Sequence, residues 1–534
     1  MTDRRADRVG VDGTLTSSAR STATVMVITT ASRLLGFVRQ AAVSAVFGAT
    51  GNADVLNAVF NIPNNLRKLL AEGALSSAFI PVLSQTSEDP ELREAGVPQR
   101  IVRNLMTFQY IAIIPLLALS VVFAGPITRF ILDFPEIERT LLAAQLFRWF
   151  IHYSLLISVS AVLMGTLNSR SQFVVPAITP ILFSVSVISS ILLLHRSLGL
   201  YAMVVGVLAG GAAQIILQIP SFKRLGFDFK PSVGFSDPHF RRILRQWLPV
   251  VAASSVFAIN QQVSLYFASG LEDGSSSALA NAVIFWQLPQ GIFGVSIMTV
   301  LFPRMSREAR LSDRDALRRT LGFGIRAIVA LLVPSSIVLA LLGNEIVAMA
   351  FQRGQFGLSD TVRTAAVLAA YCVGMAGVSA FGFLQRFYYS HGDYRTPTIA
   401  AICVAVLDIG LSVWLKETPL RVVGLAVANS TAFTLGAVVL LARSGRVVGG
   451  VEVAAIMTTL AKTVAATVPA VGIILIHRAV FGRWWEAGSS VAGFLFAAIV
   501  GLLCIAAIGA GFVGLKVEVV STLIRRRTRG GAND

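Results

Sequence analysis

Apolar runs of about 20 residues recur along this chain from Ser21 to Gly514, and each is long enough to cross the roughly 30 Å of hydrocarbon in a bilayer. A backbone inside lipid must satisfy its own N–H and C=O groups, which leaves helices or a closed barrel, and uninterrupted runs of this length are helical. Composition agrees: 55% of the 534 residues are hydrophobic and 14% are charged, with a mean hydropathy of +0.72. A soluble chain carries roughly 25% charge. The pattern predicts an all-α polytopic membrane protein with about fourteen transmembrane helices, near 22–47, 53–84, 103–128, 141–166, 173–194, 198–219, 246–269, 277–303, 320–342, 361–388, 397–415, 421–443, 456–477 and 488–514.

The net charge of +17 would suggest nucleic acid in a soluble protein. Here it falls in the loops. On the fourteen-span topology the termini and even-numbered loops hold roughly 29 cations against roughly 9 on the other side, which places both termini in the cytoplasm. The heaviest clusters are Lys223 to Arg245, Arg304 to Arg319, and Arg525, Arg526, Arg527 and Arg529. They read as topology signals facing anionic membrane lipids, and no nucleic-acid partner is expected. The first 20 residues are polar and lack the apolar stretch of a cleaved leader, so the first hydrophobic run is expected to remain as a span.

Cys372, Cys403 and Cys504 lie in apolar runs, and the five His are scattered. No metal, nucleotide or nucleophile motif appears, so neither an enzyme nor a cofactor is expected. An internal repeat does appear. "LNSRSQFVVPAI" (Leu167 to Ile178) returns as "YYSHGDYRTPTI" (Tyr388 to Ile399), an offset of 221 residues or six spans. Asn61 to Pro81 and Gln287 to Pro303 repeat at nearly the same offset. An even number of intervening spans predicts two parallel six-helix repeats around a central cavity, the architecture of alternating-access transporters, with two C-terminal helices appended. The expected organisation is a cytoplasmic segment 1–21, an N-terminal lobe 22–219, a cytoplasmic linker 220–245, a C-terminal lobe 246–443, the last two spans within 444–514 and a basic cytoplasmic tail 515–534.

Charges inside spans cost at least about 2.5–3.5 kcal/mol each on insertion scales, so they mark cavities or partners. Span 1 holds Arg33 and Arg39; span 2 holds Arg67, Lys68 and Glu72, is entered through Asp54 and is interrupted by Pro63. On a helix Arg33, Gly36 and Gln40 share a face, with Arg39 about 120° away, so all can line one broad wall. Glu72 is placed to restrain Arg67. Clustered guanidinium groups around water form an anion site, and their forked donors match phosphate or pyrophosphate oxygens. The other reading is that these Arg snorkel or pair structurally, which is least suited to Arg33 at the centre of its span.

The runs "SRLLGFVRQ" (Ser32 to Gln40) and "IPNNLRKLLAEGALSSAFIP" (Ile62 to Pro81), with Phe47, Gly48 and Asp54 between them, closely resemble the start of MurJ/MviN proteins. These are the lipid II flippases of peptidoglycan synthesis, in the superfamily of MATE-type multidrug exporters and oligosaccharide-lipid flippases. The resemblance implies a multi-pass protein of the bacterial inner membrane that moves undecaprenyl-pyrophosphate-disaccharide-pentapeptide to the outer leaflet. It places the substrate-binding cations at Arg33, Arg39 and Arg67 and the accompanying acids at Asp54 and Glu72. Two departures stand out: Gln40 occupies a place usually held by an acid, and Ile284 one usually held by Arg, with Val283 beside it in place of a further acid. The second lobe then offers neutral groups, Asn260, Gln261, Gln262, Gln287 and Gln290. Acids of span 11 in this family are associated with a coupling cation, so Asp408 is a candidate for Na⁺ or H⁺ coupling or else a partner for a neighbouring helix. Alternative functions are export of another polyprenyl-linked saccharide or amphiphile, and a transport-inactive scaffold that gathers cell-wall synthesis enzymes.

Overall fold

A computed structural model of the protein describes residues 4–70 and 74–517. The described residues are helical with no strand among them, as lipid requires of a chain without a barrel. They pack as two compact units, Met1–Phe47 with Val55–Ile259, and Gly48–Asp54 with Asn260–Asp534. In chain order the first unit contains α1 (Arg4–Phe47), most of α2 (Asn52–Leu70), α3 (Ala74–Glu88), α4 (Pro90–Glu94), α5 (Val97–Val122), α6 (Ala124–Ile131), α7 (Ile137–Phe150), α8 (Tyr153–Ser169), α9 (Val174–Leu198), α10 (Tyr201–Arg224) and the first part of α11 (Pro238–Ser269). The second unit continues with α12 (Ser275–Pro289), a π-helical turn at Gln290–Gly294, α13 (Val295–Arg310), α14 (Arg314–Leu341), α15 (Gly343–Phe351), α16 (Leu358–Ser390), α17 (Arg395–Leu415), α18 (Val422–Val448), α19 (Val453–Phe481) and α20 (Val491–Gly514).

Among the described residues eleven helical stretches are long and apolar enough to cross a membrane. The three remaining expected spans, 22–47, 53–84 and 246–269, fall on α1, on α2 with α3, and on α11. The chain is a multi-pass membrane protein. Cys372 and Cys504 are buried, but Cys403 lies exposed on α17, so it is not the core residue its apolar run suggested.

The repeat read from sequence recurs in the backbone. After α8, Gln172 N donates to Leu167 O at 2.9 Å; after α16, 221 residues later, Asp393 N donates to Tyr388 O at 3.1 Å. Within these turns Ser171 has φ +57° and Gly392, at the same offset, φ +83°. The next turn repeats too: Gly199 sits at φ 55°, ψ −131° before α10, and Arg421 at φ 48°, ψ −122° before α18.

Small residues set the packing of the first unit. A Cβ on Gly206 would lie 2.8 Å from Val187 Cα, and one on Gly210 2.9 Å from the Phe183 ring. α10 therefore lies directly against α9. Ser186 and Ser190 on α9 donate across this seam to the Gly206 and Ala202 carbonyls at 3.0 and 2.6 Å. The segment between α10 and α11 is also fixed: Arg103 on α5 holds Asp228 through two hydrogen bonds of 2.6 and 2.5 Å, and Asn104 receives Ser232 Oγ and Gly234 N at 2.6 and 3.1 Å.

A bulky residue at Gly206 meets backbone, which cannot swing away. Gly206→Leu is expected to destabilise the purified protein by about 1–3 kcal/mol in a detergent thermal-shift assay. Gly509→Leu, whose added Cβ meets nothing within 4 Å, should melt close to the unaltered protein.

Candidate functional site: cations in the first unit and a buried carboxylate in the second

Arg39, half-buried on α1, lies over the Phe183 ring of α9 with its guanidinium carbon 5.2 Å from the ring centroid. Gly210 permits this, because any side chain there would displace Phe183. Tyr153 of α8 supports the ring from 5.2 Å. The face of an aromatic ring carries negative potential and stabilises a cation without being a hydrogen-bond acceptor of the usual kind. Arg67, on α2, is close enough for its charge to oppose that of Arg39, and its Nε donates to Asn64 Oδ1 at 3.2 Å. Arg33 stands exposed two turns before Arg39. Among the described residues neither Arg33 nor Arg39 faces a carboxylate within ion-pair distance. Glu72 lies outside the described residues.

α2 adds a polar face that charge-based reading missed. Asn57, Asn61 and Asn64 fall at i, i+4 and i+7, one helical stripe. Gln40 Nε2 reaches Asn57 Oδ1 at 3.5 Å, and Asn61 Nδ2 donates to Asn57 O at 3.1 Å. The Asn spacing in "NAVFNIPNN" was the available signal. Gln40 thus joins α1 to α2 as a neutral amide where the family resemblance leads one to expect an acid.

Asp54 lies in the first turn of α2. It belongs with the second unit, is buried, and accepts the backbone N–H of Ser277 at 2.6 Å. Ser277 is in the first turn of α12, where backbone N–H groups have no helical partner and the helix dipole favours an anion. The carboxylate therefore caps α12.

Asp408 is fully buried on α17 and is met by neutral donors. Asn260 Nδ2 of α11 and Asn429 Nδ2 of α18 both donate to its Oδ2, at 2.7 and 2.8 Å, and Ser412 Oγ approaches Oδ1 at 3.4 Å. Asn260 was expected to line the cavity with Gln287 and Gln290; it is buried and committed to Asp408. Gln287 is exposed on α12 and Gln290 begins the π-helical turn. Ile284 is half-buried on α12. Asn429 and Ser412 are the partners sequence reading did not find: both are uncharged residues in apolar spans, and Asn429 stands beside Ser430 and Thr431 with nothing to set it apart. The Oδ1 of Asn260 is buried with no hydrogen-bond donor opposite it. No group of His, Cys, Asp and Glu with the arrangement of a metal site occurs among the described residues.

Comparison with known proteins gives a consistent result. The family model described as "Lipid II flippase MurJ" matches residues 43–496. The probable lipid II flippase MurJ of Borreliella burgdorferi is 34% identical over 511 residues, covering 95% of this chain and 98% of that protein. The Haemophilus influenzae counterpart is 30% identical over 77% of this chain and 83% of its own length. Among solved structures, a lipid II flippase MurJ in an inward closed conformation has a similar fold, with a TM-score of 0.74, 24% identity, and coverage of 91% of this chain and 98% of that one. An inward-facing MATE family multidrug resistance transporter follows at a TM-score of 0.62 and 14% identity, over 80% of this chain and 98% of its own. With the family model spanning most of its length and a relative this similar across nearly all of it, the chain belongs to the MurJ family of lipid II flippases.

Proposed function

We propose that this protein is a flippase for lipid II, the undecaprenyl-pyrophosphate-linked precursor, and carries it across the bacterial cytoplasmic membrane by alternating access. The observation that carries the reading is Arg39: a guanidinium within a span, seated on Phe183, with Arg67 nearby and, among the described residues, no carboxylate within ion-pair distance of Arg39 itself. Two cations brought close to each other favour a multivalent anion between them. Pyrophosphate offers several oxygens to guanidinium forks, and the Asn stripe on α2 presents amides suited to sugar or peptide. The excess of cations on one side of the predicted topology supports termini in the cytoplasm and loading from that side.

The Asp408 cluster supports cation coupling. A hard monovalent cation takes oxygen ligands, and the carboxylate, Ser412 Oγ and the unsatisfied Asn260 Oδ1 lie together in one buried group. Residues and chemistry fit Na⁺; protonation of the same carboxylate is the alternative way to neutralise it. Either form lowers the cost of a charge inside the membrane.

Two outcomes follow. Arg39→Ala should lower transport at least about tenfold at normal protein level, since a charge-assisted contact contributes about 1.5–3 kcal/mol, and Arg39→Lys should restore it only in part because Lys lacks the planar fork. The measurement is replacement of a depleted flippase in cells, scored by precursor reaching the outer leaflet. Full function of Arg39→Ala, or outer-leaflet precursor unchanged when this protein is the sole flippase and is removed, would refute the proposal and favour a scaffold. For Asp408→Asn, binding of lipid II to purified protein should stay within about twofold while transport loses its response to a Na⁺ or H⁺ gradient; an unchanged gradient response excludes Asp408 from coupling.

A further inference from the structure

Two adjacent glycines in the middle of α10, Gly210 and Gly211, are each pressed upon by a different aromatic ring. A Cβ on Gly210 would lie 2.9 Å from the Phe183 ring, 3.1 Å from its Cα and 3.3 Å from its carbonyl oxygen, so the backbone of α9 as well as the side chain needs that room. A Cβ on Gly211 would lie 3.0 Å from the Tyr153 ring of α8 and 3.0 Å from Leu156. Glycine inside a helix costs stability relative to alanine. The pair on α10 is what lets the two rings come together, both buried and with centroids 5.2 Å apart.

Three helices thus fix one ring face, and the Arg39 guanidinium of α1 lies over it, 5.2 Å from the centroid. Packing alone would use only the volume of Phe183. Its place under a guanidinium adds a second property, because the face of an aromatic ring attracts a cation through its quadrupole. The ring offers no lone pair of the kind a carboxylate oxygen has, so a guanidinium held in this way keeps its five N–H donors for other partners. A long side chain held in one place before a ligand arrives also loses less freedom on binding. We propose that Phe183 is a positioning residue for headgroup recognition: its ring face holds the Arg39 guanidinium so that the forked donors meet phosphate oxygens of lipid II. The assignment rests on the reading of Arg39 as a ligand for that diphosphate.

The decisive experiment changes the charge of the ring face at nearly constant size. Phenylalanine carrying one or three ring fluorines, incorporated at position 183 of the full-length protein, has a progressively less negative face. Binding of lipid II to the purified protein in detergent is expected to weaken stepwise, by about tenfold for the trifluorinated ring, at an unchanged melting temperature. Phe183→Leu should weaken binding at least as much. With Arg39→Ala already present, neither change at position 183 should alter the remaining affinity by more than about twofold. Equal affinity across the fluorinated series, or a loss of the same size in the Arg39→Ala background, would overturn the assignment of Phe183 while leaving Arg39 as a ligand. Should Arg39→Ala bind lipid II as tightly as the unaltered protein, the reading of Arg39 fails and the role of Phe183 falls with it. If Phe183→Leu does not fold, the fluorinated series decides alone.

Discussion

Every backbone N–H and C=O that enters the hydrocarbon must find its partner within the protein, because lipid offers none. This fixes the element type before any side chain is considered and makes each irregularity costly. Two irregularities stand out: Pro63 inside α2, and Pro289 leading into the π-helical turn Gln290–Gly294. A proline removes one donor and clashes with the preceding turn, and π-helical turns are frequent at functional positions. Both fall in helices that also carry the polar residues singled out above. Further prolines lie inside α3, α5, α9, α10, α13, α14 and α19, and specificity is left to side chains and to how closely helices approach.

Within that frame, the site is a matter of keeping charge where charge is disfavoured. Arg39 is stabilised by the face of Phe183, whose position depends on the missing side chain of Gly210. An ion pair would also have stabilised it, but would have occupied guanidinium donors that a ring face does not engage. The buried carboxylates follow a related logic with opposite sign. Asp54 is held by a helix N-terminus and Asp408 by two amides and a hydroxyl. In each case the charge is met by dipoles instead of by an opposing ion.

Hydropathy alone revealed the membrane class, since an 18-residue apolar stretch has few other uses, and the repeat was readable because both copies kept Ser, Pro and Ile at matching places. The cations of α1 and α2 were equally legible as violations of hydropathy. Partners were not. Asp54 and Ser277 are 223 residues apart, and Asn260 and Asp408 are 148 apart, so nothing local links them. Phe183 carries no signal, being one aromatic in an apolar span, and becomes informative only once α9 lies against α1. Asn260 shows the limit most plainly: on composition it resembles Gln287, yet burial beside a carboxylate gives it a different task.

The paired turns before α10 and α18 bear on how this chain descended from a duplicated half. Gly199 and Arg421 share one backbone geometry, φ near +50° with ψ near −125°, a region that only glycine enters without strain of order 1–3 kcal/mol. Similarly, Ser171 occupies a left-handed position that Gly392 fills in the other copy. Each half has thus kept glycine at one of the two turns and lost it at the other. The bend outlasted the residue best suited to it, which means that inheritance here acted on the path of the chain, and that side-chain chemistry, including the unequal charge of the two halves, was free to diverge along a path already set.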